Sequence, residues 1–300
     1  MDHFLPTATT SDEKERDAKC AILPVGSFEQ HGEYLPLITD TVIATVVSRE
    51  LAGAYPLLQL PPVTVSCSHE HSAWRGTVSI SSNTLQAIVD DIYRSITASG
   101  LTSLVVVNCH GGNYSLANVV QEGNAHRKKM ALFPTGTDWA EARQSAGLAT
   151  SNHEDMHAGE LETSILLHAH PELVRDGYQA ADWTADDRHH LLTTGMGEYT
   201  HNGIQFLVQR LEFGSDLLLG LAGDFPPDPL PVGAVPERDR THVPVPRGVH
   251  VDPVLAVPTA PDFRLGHSGA LHFGSQRHSL GSHTPSDLRL DRDSNAGPTA

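Results

Sequence analysis

Short apolar runs alternate along the chain with stretches whose apolar residues recur at helical spacing. Cys20–Val25 (CAILPV) is an apolar run closed by Gly26 and predicts a strand. Residues 40–54 (DTVIATVVSRELAGA) carry apolar positions at helical spacing and predict a helix. Residues 57–65 are apolar but broken by Pro61-Pro62, which predicts a bent or edge strand. Residues 83–99 open with Ser/Asn capping chemistry, carry Leu85, Ile88, Val89, Ile92 and Ile96, and stop at Gly100, as a helix does. Residues 101–107 (LTSLVVV) read as a strand buried on both faces. A helix over 115–126, a strand over 130–134 and an amphipathic helix over Glu160–Ala169 follow. Strands that alternate with helices imply an α/β fold, with a mostly parallel sheet and helices on both faces. In such folds, sites gather at the carboxyl ends of the strands.

The pattern fails beyond Phe225. Residues 225–300 hold 12 of the 20 prolines and none of the lysines, and no apolar period persists there. Proline at that density removes backbone donors and fixes φ, so this stretch reads as a disordered tail whose six histidines need no role. The expected organisation is a flexible N-terminus at 1–19, a catalytic domain at 20–204, an atypical segment at 205–224 and the tail at 225–300. The net charge of −16 argues against nucleic acid or an anionic membrane as partner. No apolar run is long enough for a membrane span, and the first twenty residues lack the pattern of a secretory signal. Three cysteines, Cys20, Cys67 and Cys109, make no disulfide framework and favour a reducing cytoplasm. Nineteen histidines make metal chemistry worth looking for.

Three polar clusters follow predicted strands or open a helix. The first holds Gly26-Ser27-Phe28-Glu29-Gln30-His31-Gly32 and then Asp40. Glu29 and His31 are two apart, so in extended backbone they point the same way. The second is Asn108-Cys109-His110-Gly111-Gly112-Asn113, and the third is His157-Ala158-Gly159-Glu160-Leu161-Glu162-Thr163-Ser164. Glu29, Asp40 and Glu162 with His31 and His110 are more ligands than one metal needs. They suit two divalent metals with one carboxylate between them, zinc before manganese or iron(II), and such a site holds hydroxide near neutral pH. Strand alternation turns Cys109 away from His110 and into the core.

In the segments LPVGSFEQHGEYLPLITDT (23–41), HEHSAWRGTVS (69–79), VVVNCHGGN (105–113) and HAGELETS (157–164), the chain resembles the creatininase family over about residues 20–204. The resemblance implies a three-layer α/β/α hydrolase of non-peptide C–N bonds, often hexameric, acting on a small-molecule amide, a formamide or a cyclic amide. It implies that Glu29 and His110 hold one metal, His31 and Glu162 the other, and that Asp40 bridges them. His157 is then the acid/base that protonates the leaving nitrogen, with Glu160 either a helper or a first-turn acid complementing the helix dipole. The family includes creatinine hydrolase, a formamide hydrolase and a peptidase that trims the mycofactocin precursor. Creatinine hydrolase has Tyr-Glu where this chain has Gly111-Gly112, which argues against creatinine and for the Gly-Gly branch, whose substrates vary.

Other readings compete. His153-Glu154-Asp155-Met156-His157 matches the zinc-protease pattern HExxH, which needs a continuous helix, whereas its lead-in reads as a loop. His69-Glu70-His71 could bind metal but reads better as a wall of the substrate site. Trp74 and Trp139 read as core or cleft, and His168, His170, His189 and His190 as surface or helix-end residues. Residues 205–221 depart from the family pattern. A C-terminus in a shifted or extended frame would leave the sheet without its closing helix, and the chain would be an inactive relative.

Overall fold

The computed structural model describes residues 5–148, 150–180, 190–201, 203–204 and 214–224. All belong to the unit Met1–Arg238. The Pro-rich stretch at 225–300 and its histidines lie outside the described residues.

Four described strands form one parallel sheet: β1 (Cys20–Val25), β2 (Leu57–Gln59), β3 (Ser103–Asn108) and β4 (Met130–Phe133), in the order β2-β1-β3-β4. β1 pairs along its whole length with β3, from Cys20 against Ser103 to Val25 against Asn108. β2 is the edge strand that the Pro61-Pro62 break predicts, and Val63 returns to bridge Val25.

Alternation along the strands sends side chains to two separate cores. Ile22, Val105 and Val107 face one layer, while Ala21, Leu23, Val25, Leu104 and Val106 face the other. The first layer is α2 (Thr39–Ala54), α5 (Gly136–Ala146), α6 (Glu160–Ala169) and α8 (Gly214–Asp224). The second is α3 (Ser82–Ala98) and α4 (Ser115–Ala125). The architecture is the expected three-layer α/β/α sandwich. The short helices α1 (Thr10–Arg16) and α7 (Leu191–Thr194) lie outside both layers' cores.

Besides the four-residue α7, three helices are absent from the reading of the sequence. In the N-terminal stretch expected to be flexible, Thr9 and Asp12 form a reciprocal capping box that starts α1, and Arg16 reaches the carbonyl of Leu57 at 3.2 Å. α5 starts on the same device, Thr135 with Asp138, and ends at Gly147 in the left-handed region. Within the segment expected to be atypical, residues 214–224 form α8. Its Leu217, Leu218 and Leu221 are buried in the core shared with α2, α5 and α6, so this helix covers that face of the sheet. Among the described residues no helix is long and apolar enough to cross a membrane.

Candidate metal centre

The strand order fixes where a site can form. α2 links β1 to β2 across one face, and α3 then carries the chain across the other face to β3. The connections leave β1 and β3 in opposite directions, which opens a crevice beyond their carboxyl ends. Glu29 and His31 lie in the loop after β1, His110 in the loop after β3, and Asp40 in the first turn of α2. Gly26 lets β1 run into α2 at close quarters: a Cβ there would lie 2.3 Å from the Thr41 backbone. Glu162 sits in the first turn of α6, just after His157.

The five expected ligands converge. Asp40 turns Oδ1 to His31 Nε2 at 3.0 Å and Oδ2 to His110 Nδ1 at 2.8 Å, while Ser27 donates to Oδ2 at 2.8 Å. Glu162 Oε2 lies 3.8 Å from His31 Nε2 and accepts the amide of Ala158 at 2.7 Å. Glu29 Oε2 stands 3.2 Å from His110 Nε2, and Oε1 stands 3.2 Å from His71 Nε2 and 3.7 Å from His157 Nδ1. Glu29 is wholly buried, yet neither of its carboxylate oxygens takes a hydrogen bond. A buried carboxylate in that condition is costly unless a cation meets it. The donor set of carboxylates and imidazoles therefore fits divalent cations of the zinc and manganese kind.

The second layer of contacts has the form that metal ligands require. His31 Nδ1 donates to the carbonyl two residues back, Glu29 O, at 3.1 Å, and His110 Nε2 donates to Cys67 O at 2.7 Å. The first fixes the His31 ring and leaves its other nitrogen toward Asp40, while the second is made by the nitrogen that Glu29 and Glu70 also approach, so a cation there would replace its proton. His157 donates from Nε2 to Gln30 O at 2.7 Å, which leaves Nδ1 turned toward Glu29. Its ring stacks between those of His31 and His71, with centroids at 4.3 and 4.2 Å. The Gln30 amide is oriented by donation to Gly203 O at 2.7 Å and acceptance from Gly32 N at 3.0 Å, and it donates to His71 Nδ1 at 2.9 Å.

Electrostatics separate the histidines into two kinds. Burial pushes His31 down, but Asp40, with Glu162 and Glu29 behind it, overcomes this and holds its pKa up to about 9. His110 is raised in the same way against its own burial, by Glu29 and Asp40. Burial, reinforced by Asp40, pushes Glu162 up to about 8. Asp40, although buried, stays well below the usual carboxylate range because His31 and His110 face it. His157 falls well below the usual imidazole value through burial, with His71 and His31 beside it. The protein therefore holds protons on His31, His110 and Glu162 where a cation would replace them, and keeps His157 neutral.

The loop that carries His157 is held from behind. Arg143 and Asp155 form a buried pair at 2.7 Å, and the same Asp155 oxygen accepts the amide of Leu161 at 3.0 Å, at the start of α6. Ala158, between His157 and the helix, takes φ 55°, a left-handed conformation that costs a non-glycine residue about 1 kcal/mol. Glu160 is buried and accepts the Thr150 hydroxyl at 2.6 Å and its amide at 3.2 Å, so it ties down the incoming chain. It is absent from the clusters of potential ligands among the described residues. No helix runs through 153–157: residues 152–154 form a turn and His153 is exposed, so it shares no helical face with buried His157. The geometry of a zinc-protease helix is absent there.

The turn His69–His71 contributes more than a wall. Glu70 joins Glu29 and His110 in one cluster of potential ligands, and His71 faces Glu29. The His-Glu-His spacing was the signal for both. Trp74 lies against His71, with ring centroids at 6.1 Å. Cys109 is buried in the core, where burial raises its thiol pKa. Exposed His168 ends α6, and His170 pairs with Glu172 at 3.2 Å.

Two cavities meet at the centre. A small one of about 40 Å³ is lined by Glu70, His71, His110, His157 and Glu162. A larger one of about 510 Å³ shares His110, Tyr114, Met156 and Glu162 with it and extends past Ile43, Leu132, Pro134 and Trp139. Arg143 lines it too, but its charge is committed to Asp155.

A family model described as creatininase, creatinine amidohydrolase, matches residues 6–211. A mycofactocin precursor peptide peptidase of Mycobacterium ulcerans (strain Agy99) is 37% identical over 163 residues, 51% of this chain and 59% of that protein. The match thus spans less than two thirds of that relative's length. A creatinine amidohydrolase of Pseudomonas putida is 27% identical over 183 residues, 54% of this chain and 70% of that protein. Among solved structures, a mutant creatininase of Zn-Zn type superposes with a TM-score of 0.61 at 21% identity, covering 75% of this chain and 96% of that one. With its family model matched over residues 6–211 and its fold shared, the chain belongs to the creatininase family.

Proposed function

We propose that this chain hydrolyses the C–N bond of an amide at a centre of two divalent cations. Glu29 and His110 hold one cation, His31 and Glu162 the other, and Asp40 stands between them. The observation that carries this reading is the Asp40 carboxylate, whose two oxygens face two different histidines, beside a buried Glu29 whose oxygens have no hydrogen bond. Zinc suits the mixed nitrogen and oxygen donors, and manganese and iron(II) tolerate them. When bound, the cations supply a polarising charge for the amide carbonyl and a water acidic enough to react near neutral pH. The relative of Zn-Zn type supports the dinuclear reading by likeness of fold.

The protein's own groups handle the protons. His157 is neutral at pH 7 and fixed by Gln30 with Nδ1 toward the centre. It takes the proton that the attacking water sheds and passes it to the departing nitrogen, so that amide and water leave as acid and amine. No side-chain nucleophile is required.

The walls bear on the substrate. The larger cavity presents Ile43, Leu132, Pro134, Trp139 and Met156, with no uncommitted cation among its lining residues. It suits a neutral, apolar group attached to the amide, larger than a compact polar ring such as creatinine. Peptide-like amides are the second reading, favoured by this cavity and by the Mycobacterium ulcerans relative. The test is a panel of formamides, cyclic amides and short apolar peptides, offered to zinc-loaded and chelator-stripped protein. Turnover confined to the loaded protein supports the reading. Equal turnover by stripped protein refutes it.

A further inference from the structure

Gly112 is not required by the shape of the backbone. It lies outside the set of glycines with positive φ, so its conformation is open to any residue. Space is what excludes a side chain. A Cβ at this position would fall 1.6 Å from Glu70 Oε1, 2.5 Å from Glu70 Cδ and 2.5 Å from His110 Nε2. At the adjacent Gly111 a Cβ would meet nothing within 4 Å. The Glu70 carboxylate thus occupies the volume that a side chain on residue 112 would fill.

Glu70 arrives there from the turn His69–His71 on the opposite wall. Its Oε1 lies 3.2 Å from His110 Nε2, and Glu29 Oε2 approaches the same nitrogen at 3.2 Å. Two carboxylates therefore converge on one imidazole nitrogen in a largely buried pocket. Like charges so placed repel unless positive charge sits among them. Both Glu29 oxygens are wholly buried and take no hydrogen bond, so a cation between the two carboxylates would satisfy groups that the protein leaves without a donor.

We propose that Glu70 is a further carboxylate ligand of the divalent cation held by Glu29 and His110, and that residue 112 is glycine to admit it. The inference rests on the dinuclear reading above and adds a ligand to one of its two positions.

The test uses full-length protein stripped of metal. Zn²⁺ affinity is measured against a chromophoric chelator, and Co²⁺ binding by visible absorption, for wild type, Glu70→Gln, Gly112→Ala and the exposed control Glu50→Gln. Circular dichroism checks that each is folded. Expected is a Zn²⁺ affinity lower by about tenfold or more in Glu70→Gln, since even outer partners of a ligand are worth that much. Its Co²⁺ absorption band should also change, which a purely structural role would not cause. Gly112→Ala should show both effects, because its Cβ displaces the carboxylate, and the double variant should lose no more than the weaker single. Gly112→Ala also serves as the test if Glu70→Gln does not fold. Wild type that binds Zn²⁺ while Glu70→Gln matches it in affinity and Co²⁺ spectrum overturns the proposal. Wild type that binds no Zn²⁺ overturns the dinuclear reading itself, and this one with it.

Discussion

Asp40 Oδ2 lies 2.8 Å from His110 Nδ1, which ties the helix after β1 to the loop after β3 across the crevice of the sheet. Its other oxygen faces His31. A carboxylate shared by two imidazoles is a ready bridge, and the pattern of protons around it shows what metal binding must displace.

Metal binding should release protons. Metal-free His31, at about 9, and Glu162, at about 8, are protonated at pH 7. Coordination needs both deprotonated, so binding expels protons and affinity rises as pH rises from 6 toward 8. Calorimetric titration of Zn²⁺ in buffers of different ionisation enthalpy should show a release of about one proton or more per chain at pH 7. Heats independent of the buffer, with affinity flat from pH 6 to 8, would contradict this proton count.

His157→Gln should separate chemistry from metal binding. With the proton carrier gone, kcat should fall by about 10²–10⁴-fold, while metal content stays at the wild-type level. Steady-state kinetics beside elemental analysis reads both. Loss of metal along with activity would make His157 a ligand instead.

The larger cavity should govern substrate choice. Trp139→Ala removes an aromatic ring from its apolar wall. KM for bulky apolar amides should rise with kcat little changed, the mark of binding lost equally from ground and transition states. Small formamides should be unaffected. A uniform fall in kcat across all substrates would place Trp139 in the chemistry.

Asp155→Ala should destabilise the fold. It leaves Arg143 charged, buried and unpaired and removes the partner of Leu161 N at the head of α6. The expected loss is about 3–5 kcal/mol, seen as a lower midpoint in urea, and replacing both Asp155 and Arg143 by apolar residues should recover part of it. An unchanged midpoint would show that the pair carries no weight.

Much of the fold could be read in the sequence because its pattern is strong. β1, β3 and β4, with α2, α3, α4 and α6, lie within two residues of their predicted bounds. The remaining helices hide for physical reasons. α1 buries no residue, so it has no apolar stripe. α5 buries Ala142, Arg143 and Ala146, two of them small and one charged, and only its capping box announces it. α8 lies within the segment that departs from the family pattern, yet Leu217, Leu218 and Leu221 are buried and dock it. At the site, the motifs named Glu29, His31, Asp40, His110 and Glu162, which the structure gathers together. Glu70 is legible only as part of a His-Glu-His run that could bind metal but reads better as a wall of the substrate site. Its closeness to Gly112 is a contact between distant segments that spacing along the chain does not encode.

The most direct measurement is metal content per chain by elemental analysis, in wild type and Asp40→Ala, both shown to be folded. About two divalent ions in wild type, falling to about one or none without the bridging carboxylate, is the expected result. Wild-type content retained in Asp40→Ala, or no metal in folded wild type, would contradict a centre built around Asp40.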